Sequence, residues 1–298
     1  MVKVTELGYM GFNVTDMDAW RDYATKCVGM EIEEGDRDDR FYLRMDGQHH
    51  RFTIHQSTED DLAYAGWRVK GFEEFKAMQQ HLKDNGIDFR VASEEECEER
   101  FVLGLLKLED PSGNPTEIFY SPQMDVMKPF HPGRPMYGKF LTGDQGIGHF
   151  IIRSMDDEAT YAFYSMLGLV GSVEYKIKLP NGMIAKPVFM HCNGRQHSLA
   201  FGLGPMEKRI NHLMLEYTEL DDLGLAHDTA RKEGIDVAMQ LGKHSNDQAY
   251  TFYFATPSGW LLELGHGARE AMRDQEHYTG DIFGHKPEAK GYGMDIDI

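Results

Sequence analysis

The sequence predicts an α+β fold of two homologous domains, each built from two βαβββ modules that form a curved sheet. The first observation behind this is an internal repeat. Residues 16–29 and 155–168 share an acidic start, a helical spacing of apolar side chains and a final glycine, and residues 109–120 and 255–266 share a Pro-Ser-Gly turn before a strand. The second is that helices alternate with runs of short strands, which is typical of α+β proteins.

In chain order, each half is predicted to contain a strand, an amphipathic helix and several short strands, and then the same elements again. The second helices are predicted within residues 71–88 and 220–236, each of which closes at a glycine. Between the halves lies a proline-rich stretch with little periodicity. We therefore predict a first domain at residues 1–125, a linker at 126–146 and a second domain at 147–298.

Composition excludes several classes of function. The chain has 31 basic and 49 acidic residues, and its net charge of -18 would repel both nucleic acid and an anionic membrane surface. The three cysteines are odd in number and lack CxxC spacing, which argues against a disulfide framework and a structural zinc site. Because the sequence shows neither a signal peptide nor a membrane-spanning stretch, we expect a cytoplasmic protein.

Three potential metal ligands, His149, His212 and Glu263, each lie in an apolar run that predicts a strand. A single histidine on a strand is more often a core residue than a ligand. Glu263 is flanked by leucines and would be buried, so it needs either a metal or an arginine partner. Two imidazoles and one carboxylate, without a thiolate, suit Fe(II) or Mn(II) with positions left open for substrate and O2. One metal site per chain is the resulting hypothesis.

The first half lacks the same ligand set. Matching residues 16–29 to 155–168 places Met10 opposite His149, and residues 64–70, which correspond to 210–217, contain no histidine. Only Glu117 has a counterpart among the ligands, namely Glu263. The first half is therefore predicted to be a scaffold. In the second half, His197, His244 and Tyr253 are candidates for acid-base chemistry and for hydrogen bonding to a bound anion.

Several tracts together resemble a known family: GDQGIGHFIIR, FMHCNGRQHSLAFG, KRINHLMLEYT, GKHSNDQAYTFYFATPSGWLLELG and YTGDIFGH. They are similar to the type I extradiol ring-cleavage dioxygenases of the vicinal oxygen chelate superfamily, whose members include enzymes for 2,3-dihydroxybiphenyl and 1,2-dihydroxynaphthalene. The resemblance covers essentially the whole chain. It implies a curved sheet around a cavity in each domain, and extradiol (meta) cleavage of a small aromatic catechol. It also implies Fe(II), with Mn(II) as the alternative, O2 as co-substrate, and a homo-oligomer that is often an octamer.

The resemblance also assigns roles by position. It implies metal ligands at His149, His212 and Glu263, an acid-base residue at His197, and contacts to the substrate oxygens from His244 and Tyr253. It further implies a polar loop and an aromatic pocket formed by Ile151, Phe189, Ala200, Asn211, Asn246 and Asp247.

Two departures from the family pattern concern the surroundings of the site. Gln196 stands where many relatives have a second histidine, and His266 ends a tract that often reads EPGW. Alkylcatechols, steroid catechols and polycyclic catechols remain alternative substrates. A glyoxalase-type metalloenzyme and a drug-binding protein of the same fold are the competing functions, although neither needs all three ligands in one half.

Overall fold

Two large β-sheets form the framework of the protein. The computed structural model describes residues 2–35, 37–178, 182, 184–272 and 276–292. The first half contains β1 (Glu6–Val14), α1 (Met17–Asp22), β2 (Glu31–Glu34), β3 (Arg40–Arg44), β4 (Phe52–Gln56), β5 (Asp61–Arg68), α2 (Phe72–Asp84), β6 (Phe89–Val91), α3 (Glu94–Arg100), β7 (Val102–Glu109) and β8 (Pro115–Pro122). Helix α1 continues into a π-helical segment, Tyr23–Val28.

The second half repeats the order of the strands, with additional short strands. It contains β9 (His149–Ile152), α4 (Asp157–Met166), β10 (Val170–Tyr175), β11 (Ile177–Lys178), β12 (Ile184–Ala185), β13 (Val188–His191), β14 (Leu199–Phe201), β15 (Ile210–Tyr217), α5 (Leu220–Lys232), β16 (Val237–Lys243), β17 (Tyr250–Ala255), β18 (Leu261–His266) and β19 (Glu276–Tyr278).

The two sheets have the same strand order, which confirms the predicted repeat and fold class. The first runs β2-β3-β4-β1-β5-β8-β7-β6 and the second β10-β13-β14-β9-β15-β18-β17-β16, with β19 added beside β10. In each sheet the first strands of the two βαβββ modules lie side by side and antiparallel, as β1 with β5 and β9 with β15. The two modules of each half therefore form one continuous sheet.

The predicted helices form, and side-chain caps set the starts of α1 and α4. Asp16 accepts a hydrogen bond from the Ala19 amide, and Asp156 accepts one from the Ala159 amide. These two aspartates are equivalent positions, so the repeat is offset by one residue from the match assumed above. Gly29 ends the π-helical segment at a φ of 92°, a conformation that side chains disfavour.

One hydrophobic core joins the two halves. Phe12 and Trp20 of the first half pack against Trp260 of the second, with ring centroids 4.7 and 5.5 Å apart. Trp20 Nε1 also donates to Ser258 Oγ at 2.8 Å. The first half is therefore packed directly against the sheet that carries the candidate ligands.

The predicted linker runs along the protein surface and is held by specific contacts. Phe140 is fully buried, and the amides of Tyr137 and Gly138 donate to the Asp222 carboxylate.

Within the described part of the chain, no helix is both long and apolar enough to cross a bilayer.

Candidate metal centre and active site

Strand pairing brings the three predicted ligands together. Met214 of β15 pairs with His149 of β9 on one side and with Glu263 of β18 on the other. His212 lies two residues before Met214 in β15, and alternation along a strand places it on the same face. One ligating atom from each of His149, His212 and Glu263 lies within 4.8 Å of the others. His149 and His212 are 63 positions apart in sequence, and His212 and Glu263 are 51 positions apart. Three adjacent strands bring them together.

Glu263 is the centre of this group. Its side chain is buried, as the surrounding leucines predicted, and its Oε2 lies 3.2 Å from His149 Nε2 and 3.3 Å from His212 Nε2. Its Oε1 lies 3.0 Å from His244 Nε2. Among the described residues, every ion-pair partner of Glu263 is a histidine, so the arginine alternative is not realised.

The protonation states suit a metal site. Burial lowers the pKa of His149 to about 4, so its imidazole is neutral, which is the form that binds metal ions. Burial acts to raise the pKa of Glu263, but hydrogen bonds from His149 and His212 outweigh it and hold that pKa well below its usual range. The group therefore combines the neutral imidazole of His149 with the ionised carboxylate of Glu263.

The spacing of the donor atoms also fits a metal ion. Two bonds of about 2.1 Å at a right angle place their donor atoms about 3 Å apart. The measured separations of Glu263 Oε2 from His149 Nε2 and from His212 Nε2 are 3.2 and 3.3 Å. The Glu263 carboxylate and the two imidazoles are therefore close enough to one another, and chemically suited, to bind one divalent cation together.

His197 lies against the ligand group. Its ring centroid is 3.7 Å from that of His149, and its side chain is buried. His197 Nδ1 donates to Gln196 Oε1 at 2.6 Å, which leaves Nε2 as the acceptor of the neutral ring. Burial holds the pKa of His197 well below its usual range. Gln196, one of the two departures from the family pattern, therefore orients this imidazole.

His244 and Tyr253 stand on the other side of Glu263. Tyr253 pairs with Glu263 across β17 and β18, and its hydroxyl lies 2.8 Å from His244 Nε2. Both the phenol and the imidazole therefore reach the carboxylate edge of the ligand group. Burial, and then the charge of Glu263, raises the pKa of Tyr253 well above its usual value, so its phenol keeps its proton.

The predicted apolar pocket residues form a row across three strands. Phe189 pairs with Ala200, and Ala200 pairs with Ile151. They share one hydrophobic cluster with Val173 and Tyr175. Phe189 also contacts His197, at 4.8 Å between ring centroids. This row forms an apolar wall beside the ligand group.

The remaining predicted residues take different positions. Asn211 Oδ1 lies 3.0 Å from His212 Nδ1, so this side chain contacts a ligand candidate. Asn246 and Asp247 are buried, and an Asp247 oxygen lies within 4.8 Å of ring nitrogens of His149 and His197. His266 is the last residue of β18, with Nδ1 3.2 Å from the Tyr217 carbonyl oxygen.

Sequence reasoning missed two residues behind His244. Asp281 Oδ1 accepts from His244 Nδ1 at 2.7 Å, and Asp281 Oδ2 accepts from His285 Nδ1 at 2.9 Å. His285 Nε2 lies 2.8 Å from Thr251 Oγ1. Asp281 and His285 belong to the tract YTGDIFGH, where an aspartate and a histidine four residues apart were the available signal.

The first half has a counterpart of the ligand group, and the prediction that Met10 corresponds to His149 is wrong. Gly66 of β5 pairs with Tyr9 of β1 and with Glu117 of β8, just as Met214 pairs with His149 and Glu263. Tyr9 therefore takes the place of His149, because the helix caps align one residue away from the sequence match. Tyr64, two residues before Gly66, takes the place of His212.

An arginine neutralises the carboxylate at this counterpart position. Arg100 Nε and one terminal nitrogen donate to the two oxygens of Glu117 at 3.0 and 3.1 Å, and both side chains are buried. Tyr9 donates to Glu117 Oε2 at 2.7 Å. A guanidinium therefore provides the positive charge that a metal would otherwise supply.

Replacing Arg100 with methionine is expected to destabilise the protein by about 3–5 kcal/mol, because Glu117 is left buried without its charge partner. Chemical denaturation measures the change. The matched control is Arg90→Met, which breaks the exposed pair with Glu96 and should have little effect. An equal loss in both variants would contradict the role assigned to Arg100.

Comparison with known proteins decides the family. The chain is 66% identical to biphenyl-2,3-diol 1,2-dioxygenase of Sphingomonas paucimobilis over 298 residues, which is 100% of both proteins. The chain belongs to the extradiol ring-cleavage dioxygenases. It is also 64% identical, over 100% of both chains, to 1,2-dihydroxynaphthalene dioxygenase of Sphingobium xenophagum.

Family models and a crystal structure agree with this membership. Residues 7–56 match the family "Dihydroxybiphenyl dioxygenase BphC D1", and residues 146–264 match the "Glyoxalase/Bleomycin resistance protein/Dioxygenase superfamily". A crystal structure of catechol 2,3-dioxygenase superimposes with a TM-score of 0.98 at 61% identity and covers 100% of this chain and 99% of that one. This extradiol dioxygenase is therefore an oxidoreductase of the vicinal oxygen chelate superfamily.

Proposed function

We propose that this dioxygenase cleaves a substituted or fused-ring catechol next to its hydroxyl groups, with Fe(II) held by His149, His212 and Glu263. The main support is the convergence of two imidazole nitrogens and one buried carboxylate beside an apolar wall. The names of the two relatives above add biphenyl-2,3-diol and 1,2-dihydroxynaphthalene as the first substrates to consider. A relative at 36% identity is a 3-methylcatechol 2,3-dioxygenase, so alkylcatechols are the alternative.

The ligand group explains how one face of the metal ion would be fixed by protein. Three donors on adjacent strands leave the remaining coordination positions for catechol and O2. When bound, the metal ion acts as a Lewis acid that favours the deprotonated catechol and provides a path for electrons between catechol and O2. Mn(II) accepts the same donors, and comparing activity after loading with each metal distinguishes them.

The neighbouring polar residues would handle substrate and protons. The Tyr253 phenol and His244 Nε2 are placed beside Glu263, where they can hydrogen-bond to a substrate oxygen and orient the ring. His197 lies on the opposite flank against His149, with Nε2 available to take up a proton and return it later. Asn246 and Asp247 would complete the polar side of the site.

The apolar wall would receive the rest of the substrate. Ile151, Ala200 and Phe189 lie side by side, and none of them carries a hydrogen-bonding side chain. Burial of apolar ring surface against such a wall contributes roughly 25 cal/mol per Å². A biphenyl or naphthalene ring therefore gains more from this site than an unsubstituted catechol does.

We further propose that the two halves have separate roles. Residues 147–298 form the catalytic domain, 126–146 the linker, and 1–125 a scaffold in which Arg100 occupies the counterpart of the metal site. A homo-oligomer agrees with the family resemblance. A cytoplasmic location agrees with the free thiols of Cys27, Cys97 and Cys192. Analytical ultracentrifugation measures the assembly state.

Oxygen uptake tests the proposed reaction. The protein is loaded anaerobically with Fe(II), mixed with 2,3-dihydroxybiphenyl, 1,2-dihydroxynaphthalene or 3-methylcatechol, and then exposed to O2. We expect one O2 consumed per catechol, a ring-opened product with one new carbonyl group and one new carboxylate, and higher kcat/KM for the two-ring substrates. A glyoxalase-type enzyme or a binding protein would consume no O2. The absence of uptake with every catechol would overturn the proposal.

A further inference from the structure

A segment from outside the main sheet reaches the active site behind His244. Residues 279–289, which we call the C-terminal strap, run along the edge strand β16. Two amides of β16 donate to carbonyl oxygens of the strap, Lys243 to Phe283 at 2.8 Å and Gln240 to Lys286 at 3.1 Å. In the other direction, the Glu288 amide donates to the Ala238 carbonyl oxygen at 2.9 Å. The strap is therefore hydrogen-bonded to β16 along most of its length.

Two glycines allow the strap to approach this closely. A Cβ atom on Gly284 would lie 2.3 Å from the Leu241 carbonyl oxygen, and one on Gly242 would lie 2.5 Å from the His285 amide nitrogen. His285 has a φ of 49°, a left-handed conformation that costs free energy for a residue with a side chain. The backbone is thus constrained at the point where the strap delivers His285 and Asp281.

We propose that Asp281, supported by His285, is a positioning residue for His244 in the ring-cleavage reaction. This inference rests on the proposed role of His244 at the substrate oxygen. The two Asp281 oxygens accept from Nδ1 of His244 and of His285, at 2.7 and 2.9 Å. Because Nδ1 of His244 is held in this way, Nε2 must face Tyr253 and Glu263.

His285 restrains the Asp281 carboxylate, because it holds the oxygen that does not contact His244. His285 is fully buried and is fixed on its other side by Thr251, with Nε2 2.8 Å from Oγ1 and 3.1 Å from the carbonyl oxygen. It therefore prevents Asp281 from rotating away from His244. A carboxylate held by two imidazoles positions the His244 ring more tightly than an exposed hydrogen bond would.

The expected effect of Asp281→Asn is a decrease of kcat by about tenfold to a hundredfold, the range typical of a partner that orients an active-site histidine. Metal content should not change, because Asp281 contacts His244 and His285 but none of the three proposed ligands. Glu288→Gln is the matched control, since it removes one negative charge from the same strap at an exposed pair with Arg231. Its kcat should equal that of the wild type.

A double-mutant cycle separates positioning from general damage. In a His244→Ala background, Asp281→Asn should change kcat by less than about twofold, because there is no imidazole left to orient. A second full loss in that background would overturn the inference, and so would wild-type kcat in Asp281→Asn alone. Loss of metal or of thermal stability in Asp281→Asn would also overturn it, as the mark of a structural role.

A measurement without turnover keeps this test separate from the proposed function. In metal-free protein labelled with ¹⁵N-histidine, the slowly exchanging Nδ1–H resonance of His244, assigned by its disappearance in His244→Ala, should be lost in Asp281→Asn and kept in Glu288→Gln. Persistence of the resonance in Asp281→Asn would contradict the inference. Failure of the wild type to cleave any catechol, with the resonance behaving as expected, would contradict the proposed reaction instead.

Discussion

The His212→Ala variant is expected to purify without its metal ion and to lose ring-cleavage activity by more than about a thousandfold, well beyond the loss typical of an outer-shell residue. His212 lies between the other two ligand candidates, because its strand β15 pairs with both β9 and β18. Without it, two donors remain where three are needed to fix one face of the metal ion. The protein should still fold, since the strands pair through their backbones.

The control for this variant is His227→Ala, on helix α5 and away from the ligand group. Metal content is measured by mass spectrometry of the purified proteins, activity by oxygen uptake, and folding by circular dichroism. Glu263→Gln extends the test, because it keeps the shape of the side chain and removes its charge. A His212→Ala protein that retains stoichiometric metal and cleaves catechol would contradict the proposed ligand set.

The fold could be predicted largely because the repeat is visible in the sequence. The matching helices and Pro-Ser-Gly turns indicated two equivalent halves, and the strand orders of the two sheets agree with that. The register within the halves could not be predicted to the residue. Asp16 was matched to Met155, whereas both caps are aspartates, Asp16 and Asp156. This offset of one residue made Met10, rather than Tyr9, the predicted counterpart of His149. Because successive residues of a strand face opposite sides, an error of one residue selects a side chain on the wrong face.

The candidate ligands could be chosen from sequence because a carboxylate among leucines has few stable environments. For Glu263 the sequence left two solutions open, a metal or an arginine, and Glu117 is buried in the same way. The structure uses histidines around one glutamate and Arg100 around the other. Arg100 was not predicted as that partner, since it lies at the end of an acidic helix and its approach to Glu117 depends on tertiary packing.

Residues that act through other residues were the hardest to predict. Asp281 and His285 lie 37 and 41 positions beyond His244, on a strap that no periodic pattern marks. Their contact with His244 depends on Gly242 and Gly284, whose missing side chains matter only once the strap is seen against β16. A sequence lists these residue types, but only three-dimensional packing brings them together.

The His197→Ala variant is expected to retain the metal ion and yet lose turnover by about 10²- to 10⁴-fold, the range for removal of a general acid-base group. The ring of His197 packs on His149, but its Nδ1 is occupied by Gln196 Oε1, so it is not needed to hold the ligand group. Its Nε2, the acceptor of the neutral ring, is the atom proposed to transfer the proton. Metal binding and catalysis should therefore separate in this variant, whereas they fail together in His212→Ala.

Three measurements on His197→Ala distinguish proton transfer from a change in packing. Metal content and the anaerobic affinity for catechol should match the wild type, because neither is assigned to His197, while single-turnover cleavage should slow. His191→Ala is the control, since His191 lies on β13 in the same half and its Nδ1 contacts the nearby Asn193 carbonyl. Full turnover in His197→Ala would remove the acid-base role. Loss of metal would instead show that the stacked ring supports His149. Whether metal binding is kept or lost together with turnover therefore distinguishes proton transfer from a packing role.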